Sequence, residues 1–242
     1  MTERLAKLRR LDDFRRRVPY VSMSALAAVL QDIEEHEAPD LGSRESMARA
    51  TSAQLRMDTP YGNMLTQLEV VSTDNKNMTI PAINPLGLLV VAYEQGGNFT
   101  ELFDKAYRAS PSTVENPWRL IVYGDEVTPG NVIAVDNLRK CWVLYFSFQE
   151  FGMIALECEE TWFTLVVCRS NVVATVDAGI SQIYAAAIKL FFGALGANLM
   201  TGGIVLRRQD RSQLRLWAKL GMLIQDGGAH KLVFNCKASV LL

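Results

Sequence analysis

The sequence contains few of the residues on which several classes of functional site depend. Its 242 residues include two histidines and four cysteines. The cysteines, at positions 141, 158, 168 and 236, show no CxxC spacing and lie in apolar surroundings, which favours buried thiols in a reducing compartment over a disulfide framework or a zinc site. So few histidines disfavour nucleophilic catalysis by a serine or cysteine relay. The absence of GxGxxG and P-loop motifs leaves nucleotide binding without support.

Charge and hydropathy exclude further classes. The formal net charge of −1 gives no global reason to bind nucleic acid or an anionic membrane. The first ten residues lack the apolar segment of a secretory signal. The apolar stretch over 185–206 is interrupted by Lys189, Asn198 and glycines, so a buried helix, a turn and a strand are predicted there instead of a membrane span. We expect an intracellular protein, nuclear if it is functional, without a membrane partner; its oligomeric state is left open.

Residues 1–110 are predicted to form a mainly helical region. A basic amphipathic helix over 4–17 is either a nuclear-localisation or phosphate-binding segment, or a solvated helix docked by its apolar stripe. A hairpin over 65–80 turns at Thr73–Asn75. Other helices are predicted over 25–33, 43–57, 86–95 and 99–109. Ser110–Thr113 resembles a linker, so a second domain is expected over 111–242.

The second region is rich in apolar runs that are typical of buried strands. Strands are predicted over 118–125, 141–148, 161–168 and 217–226, with a hairpin of 204–206 and 213–216. A helix over 178–192 is expected to be capped by Asp177, and a second helix is expected from about residue 229. All four tryptophans fall at or near the starts of the four strands.

Two of these strands end on an aspartate. The first delivers Asp125 and Glu126 into a loop before Pro129, and the last delivers Asp226 before two glycines. If the two strand ends meet at one edge of a sheet, the two aspartates can share a divalent cation, which prefers hard oxygen ligands. The alternative is structural, because acids populate turns after strands and Asp226 is also a suitable N-cap.

Three strands, a helix, a strand and a helix follow the order of the RNase H-like fold. The predicted fold class is therefore α+β or α/β: a helical N-terminal region, then an RNase H-like mixed sheet in which the first strand lies beside the fourth. The sheet is expected to be truncated before its fifth strand.

With both acidic strand ends in place, residues 112–242 resemble the catalytic core of DDE-type eukaryotic DNA transposases. The chain is most similar to CACTA-type elements and to repetitive, uncharacterised transposon-like proteins that share Asp125-Glu-Val-Thr-Pro-Gly-Asn131. The segment from Asp226 to Lys237 resembles the second signature of that group. The resemblance implies that Asp125 and Asp226 bind Mg²⁺ and act on DNA phosphodiesters by two-metal chemistry.

The chain departs from this family in its third carboxylate, which would lie beyond Leu242. Residues 178–193 contain no acidic side chain that replaces it, and the glutamates at 150, 157, 159 and 160 are assigned no role. We therefore expect a degenerate or truncated transposon-derived protein that is inactive as this chain stands. The alternative is a non-catalytic module that binds DNA or a protein.

Basic residues near the last strand suggest where DNA phosphates bind. Arg207, Arg208, Arg211 and Arg215 surround a predicted hairpin turn, and a solvated hairpin tip explains them nearly as well. His230 stands four residues after Asp226, on the same side of a helix, where it can contact a phosphate or a metal. A capping or surface role for His230 is the alternative.

Overall fold

The computed structural model describes residues 23–36, 44–128, 140–193, 198–208 and 210–225. The chain divides into two compact units, 1–51 and 52–242. Helix α1 (Met23–His36) lies in the first unit, and helix α2 (Arg44–Leu55) begins in the first and ends in the second. The predicted basic helix over 4–17 lies outside the described residues, as does the helix expected from residue 229.

The second unit contains helices and strands in mixed order. Its helices are α3 (Pro85–Glu94), α4 (Asn98–Ala109), α5 (Met153–Leu156), α6 (Ser170–Val173) and α7 (Ile180–Phe192). Its strands are β1 (Asp58–Thr59), β2 (Gly62–Asn63), β3 (Leu65–Val71), β4 (Asn77–Ile83), β5 (Trp118–Val127), β6 (Cys141–Phe148), β7 (Phe163–Arg169), β8 (Ile204–Arg207), β9 (Gln213–Leu216) and β10 (Ala218–Ile224). Short 3-10 turns, Gln149–Phe151 and Glu159–Thr161, flank α5.

Six strands form one mixed sheet in the order β10-β5-β6-β7-β4-β3. Strand β10 pairs with β5 in parallel, and every other neighbouring pair in the sheet is antiparallel. The mixed α+β class predicted from the sequence is thus confirmed. The strand that runs towards Asp226 lies beside the strand that carries Asp125. Two small two-stranded sheets, β1-β2 and β8-β9, accompany the large one.

The stretch interpreted as a linker between two domains lies inside the second unit. Strands β3 and β4, which precede it, belong to the same sheet as the strands that follow it. Ser112 is buried, and its hydroxyl donates to the Trp217 carbonyl at 2.7 Å and accepts from the Trp217 amide at 2.8 Å. Trp118 Nε1 donates to the Ser110 carbonyl at 2.7 Å. These bonds fasten the segment to the sheet, and the units divide at Thr51 and Ser52 instead of at residues 110 and 111.

Helices α4 and α7 pack on one face of the sheet and close its core. Phe103 of α4 lies 4.8 Å from Trp118, centroid to centroid, and Phe191 of α7 lies 5.1 Å from Phe146. All four rings are buried. One continuous core extends from Leu68 to Ala218 across this face, so burial of apolar surface there is the main source of stability.

Local sequence determines some element ends and misleads at others. Helix α3 begins as its sequence indicates, with Pro85 in the first turn and the Asn84 side chain accepting from the Leu86 and Gly87 amides. Asp177, by contrast, does not cap α7: the N-cap position is Gly179, and no side chain bonds there. Cys158 is exposed and not buried as expected, because it lies in the loop after α5. Within the described ranges, no helix is long and apolar enough to cross a membrane.

Candidate functional site

Asp125 lies where the sequence places it, near the end of β5 and at a cavity. Successive side chains of a strand point to opposite faces, so Tyr123, Asp125 and Val127 share the face that α4 and α7 do not cover. With Ile224 of β10 and Glu159 of the turn before β7, they line a cavity of about 660 Å³. Asp125 is partly exposed and accepts a hydrogen bond from the Tyr123 hydroxyl at 3.1 Å.

The neighbouring acid, Glu126, takes no part in this cavity. Its carboxylate accepts from the Ser170 hydroxyl at 2.6 Å and from Lys140 Nζ at 3.1 Å. The hydrogen bond from Ser170, supported by Lys140, holds the pKa of Glu126 below its ordinary value despite partial burial. The two acids of the pair therefore lie on opposite faces of the sheet, and of the two only Asp125 lines the cavity.

Three aromatic residues in the cavity wall escape recognition from the sequence. Tyr123 and Tyr145 are partners across β5 and β6, with ring centroids 5.9 Å apart and planes 17° from parallel. The ring centroids of Trp162 and Tyr123 lie 6.0 Å apart, and their planes form an angle of 66°. The one available signal is that Tyr123 precedes Asp125 by two residues and must share its face. The position of Tyr145 depends on strand register, which no local pattern reveals.

Strand β10 extends to the same cavity. Its last described pair is Ile224 opposite Tyr123, and Ile224 lines the cavity. Asp226, predicted to share a cation with Asp125, lies outside the described residues, as does His230.

A buried hydroxyl lies beneath the acidic strand end, on the helical face. An ideal Cβ added to Gly124 would lie 1.7 Å from the Tyr184 hydroxyl oxygen, so only glycine leaves room for that ring. The Tyr184 hydroxyl makes no hydrogen bond within the described part of the chain. Burial, assisted by the nearby Tyr123 and Asp125, raises the pKa of Tyr184.

Arg208, predicted to contact DNA, is instead engaged in an internal ion pair. Its Nη2 lies 3.0 Å from Asp104 Oδ1 and its Nε 3.1 Å from Oδ2, while the Tyr93 hydroxyl donates to the same carboxylate at 2.6 Å. Partial burial acts to raise the pKa of Asp104, but the bonds from Arg208 and Tyr93 outweigh it and lower that pKa. Burial and the hydrogen bond to Asp104 raise the pKa of Tyr93 to about 12. The carboxylate neutralises Arg208, which leaves little of its charge for a phosphate.

The other three predicted arginines are exposed on or beside the β8-β9 hairpin. They are Arg207, Arg211 and Arg215. Arg215 donates to the Gly202 carbonyl at 2.9 Å and lies 5.7 Å from the centroid of the Trp217 ring. The structure therefore keeps three of the four arginines as candidates for a basic surface.

A magnesium site would need carboxylate oxygens, the ligands that Mg²⁺ prefers. Asp125 and Glu159 line one cavity. No group of three or more His, Cys, Asp or Glu side chains in the described ranges is arranged to hold a metal ion. A third carboxylate at this cavity would have to come from residues outside those ranges.

The chain matches no protein-family model, no curated protein and no solved structure.

Proposed function

We propose that the chain is a transposon-derived protein whose sheet carries a DDE-type, metal-dependent phosphodiester-transfer core. The observation that carries the proposal is the pairing of β5 and β10. Ile224 pairs with Tyr123. In the sequence, Asp226 comes two residues after Ile224, and Asp125 comes two residues after Tyr123. If this register were to continue for two more residues, the side chains there would return to the same face, and the two aspartates would share one cavity.

The strand order supports an RNase H-like core. Strands β7, β6, β5 and β10 are consecutive neighbours, so the first strand of the second half lies beside the last, as that fold requires. The extension of the sheet by β4 and β3 beyond β7 is a departure from the expected arrangement. These two strands lie on the side of the sheet away from β10, and none of their residues lines the Asp125 cavity.

Asp125 and Asp226 are proposed to hold Mg²⁺, and Glu159 is the described carboxylate that can supplement them. A bound metal ion at such a site activates an attacking water or 3′-hydroxyl and stabilises the leaving oxygen. The chain's own residues orient this site: the Tyr123 hydroxyl fixes the Asp125 carboxylate at 3.1 Å. Because Glu159 is exposed on a turn, we expect it to bind the metal ion more weakly than Asp125 does.

Metal binding is the direct test. Mn²⁺ at about 100 times its dissociation constant is expected to stabilise the native protein by about 2.7 kcal/mol, measured as a rise in Tm. Asp125→Asn and Asp226→Asn should each abolish the rise, and Glu159→Gln should reduce it. Glu115→Gln, which changes an exposed loop carboxylate, is the matched control and should respond as the wild type does. An equal rise in the wild type and both aspartate variants would overturn the proposal.

A second candidate is a non-catalytic DNA-binding module, favoured by the exposed Arg207, Arg211 and Arg215. It predicts retention on DNA that falls with salt and needs no divalent metal. Replacing these three arginines with glutamine should weaken retention uniformly across sequences, whereas Arg208→Gln should act through stability because of its pair with Asp104. DNA retention unchanged by the triple variant would exclude this surface.

A further inference from the structure

Three aromatic side chains beside Asp125 form a surface that we call the aromatic wall: Tyr123, Tyr145 and Trp162. Aromatic side chains in strands are usually buried in the core. Phe146, on the opposite face of the sheet, is an example, because it is completely buried. The aromatic wall differs, because each of its members is partly exposed. Tyr145 is partly exposed although every other residue of β6 is buried. Its ring surface is therefore available to a ligand.

Hydrogen bonds hold two rings of the aromatic wall, those of Trp162 and Tyr123, in place. Trp162 Nε1 donates to the Leu156 carbonyl at 2.9 Å, and the Tyr123 hydroxyl donates to Asp125. The Tyr123 and Tyr145 rings lie 17° from parallel across the two strands. Rings that are already fixed lose little conformational freedom on binding, which favours affinity.

The charge of the cavity limits what can occupy it. Asp125 and Glu159 line it, and no lysine or arginine is among the described residues that do so. A phosphate approaching without a cation is repelled here, whereas an uncharged planar ring suits the aromatic surface. A nucleotide presents both groups: a phosphate that a metal ion can neutralise, and a base that can stack.

We propose that the aromatic wall stacks against an unpaired nucleobase next to the phosphodiester that reacts at Asp125. The inference rests on the proposed function, and it narrows the substrate to DNA that is locally single-stranded. Bases inside a duplex already stack on their neighbours, so a base reaches the aromatic wall only where the strand is frayed, nicked or flipped out. Stacking tolerates any base because each has a π face.

A fluorescent base tests the inference. A short single-stranded oligodeoxynucleotide carrying 2-aminopurine is titrated with protein in Ca²⁺, which replaces Mg²⁺ to prevent reaction, and compared with the same strand made abasic at that position. The wild type should quench the fluorophore and bind the base-containing strand about tenfold more tightly, the order of one stacked base. Trp162→Leu and Tyr145→Leu should each lose this preference. Phe192→Leu, which alters a half-buried ring outside the cavity, should keep it.

The outcomes separate this inference from the proposed function. Equal binding of both strands by a protein that still responds to Mn²⁺ through Asp125 overturns stacking and leaves the function standing. Absence of both the metal response and strand binding overturns both. Competition by trimethyl-lysine, with no preference for the base-containing strand, identifies the aromatic wall as a site for an organic cation and overturns stacking as well.

Discussion

Replacing Gly124 with alanine tests how closely helix α7 approaches the sheet beneath Asp125. The new Cβ would lie 1.7 Å from the Tyr184 hydroxyl oxygen, 2.7 Å from its Cζ and 2.8 Å from Leu144 Cδ2. The ring and a neighbouring core side chain must both move, and overpacking of this kind costs typically about 1–3 kcal/mol. With two rigid neighbours involved, we expect Gly124→Ala to reduce the free energy of unfolding by about 3 kcal/mol.

The partner variant, Tyr184→Phe, should behave in the opposite way. Its hydroxyl is buried and makes no hydrogen bond within the described residues, so removing it should stabilise the protein by about 1 kcal/mol. In Gly124→Ala/Tyr184→Phe the closest clash disappears while those with the ring carbon and Leu144 remain. We therefore expect a favourable coupling of about 1 kcal/mol and only partial recovery.

Urea unfolding followed by tryptophan fluorescence measures all three variants, and the midpoints are comparable where the m-values agree. Tyr107→Phe is the matched control, because the Tyr107 hydroxyl donates to the Arg215 carbonyl at 3.1 Å and its loss should cost about 1 kcal/mol. If Gly124→Ala unfolds at the urea midpoint of the wild type, or if Tyr184→Phe is as destabilising as Tyr107→Phe, helix α7 does not approach the sheet this closely.

Three further variants probe other contacts. Asp104→Asn removes the carboxylate bound by Arg208 and should reduce the free energy of unfolding by about 2 kcal/mol at neutral pH. Because folding lowers the pKa of Asp104, the carboxylate stabilises the protein above its unfolded-state pKa of about 3.9, and this stabilisation is lost as pH falls through the folded-state pKa. The urea midpoints of the variant and the wild type should therefore converge in acid. Ser112→Ala should cost about 1–2 kcal/mol, since both bonds to Trp217 disappear. Phe103→Ala, at a completely buried ring, should cost about 3–5 kcal/mol in the same assay.

The sequence predicts the elements of the second half closely because periodicity is a local property. The apolar run from Cys141 to Phe148 is a strand over that range, and the hairpin before Trp217 turns as expected. Local periodicity does not show whether the stretch that begins at Ser110 separates two domains. A Ser- and Pro-containing stretch looks the same whether it is a free linker or, as here, is fastened by a buried hydroxyl to a residue far along the chain.

At the candidate site, too, the sequence reveals local features but not contacts between distant residues. Asp125 is recognisable because an acid at the end of a buried strand is visible in the sequence. Its aromatic neighbours depend on the pairing of Tyr123 with Tyr145, and the neutralisation of Arg208 depends on Asp104, more than a hundred residues earlier. Glu159 had no sequence signal, since it reaches the cavity only through the turn between α5 and β7.

The strand order has a consequence for how the molecule forms. The middle of the sheet, β5-β6-β7, is made from consecutive strands, but its neighbours on the two sides come from distant parts of the sequence: β4 is synthesised earlier and β10 later. Native contacts between segments so distant slow folding, because their loops must close before any contact is gained. During synthesis the hairpin of β3 and β4 cannot pair with the sheet until β7 has emerged, and Ile224 completes its side of the Asp125 cavity only about a hundred residues after Asp125.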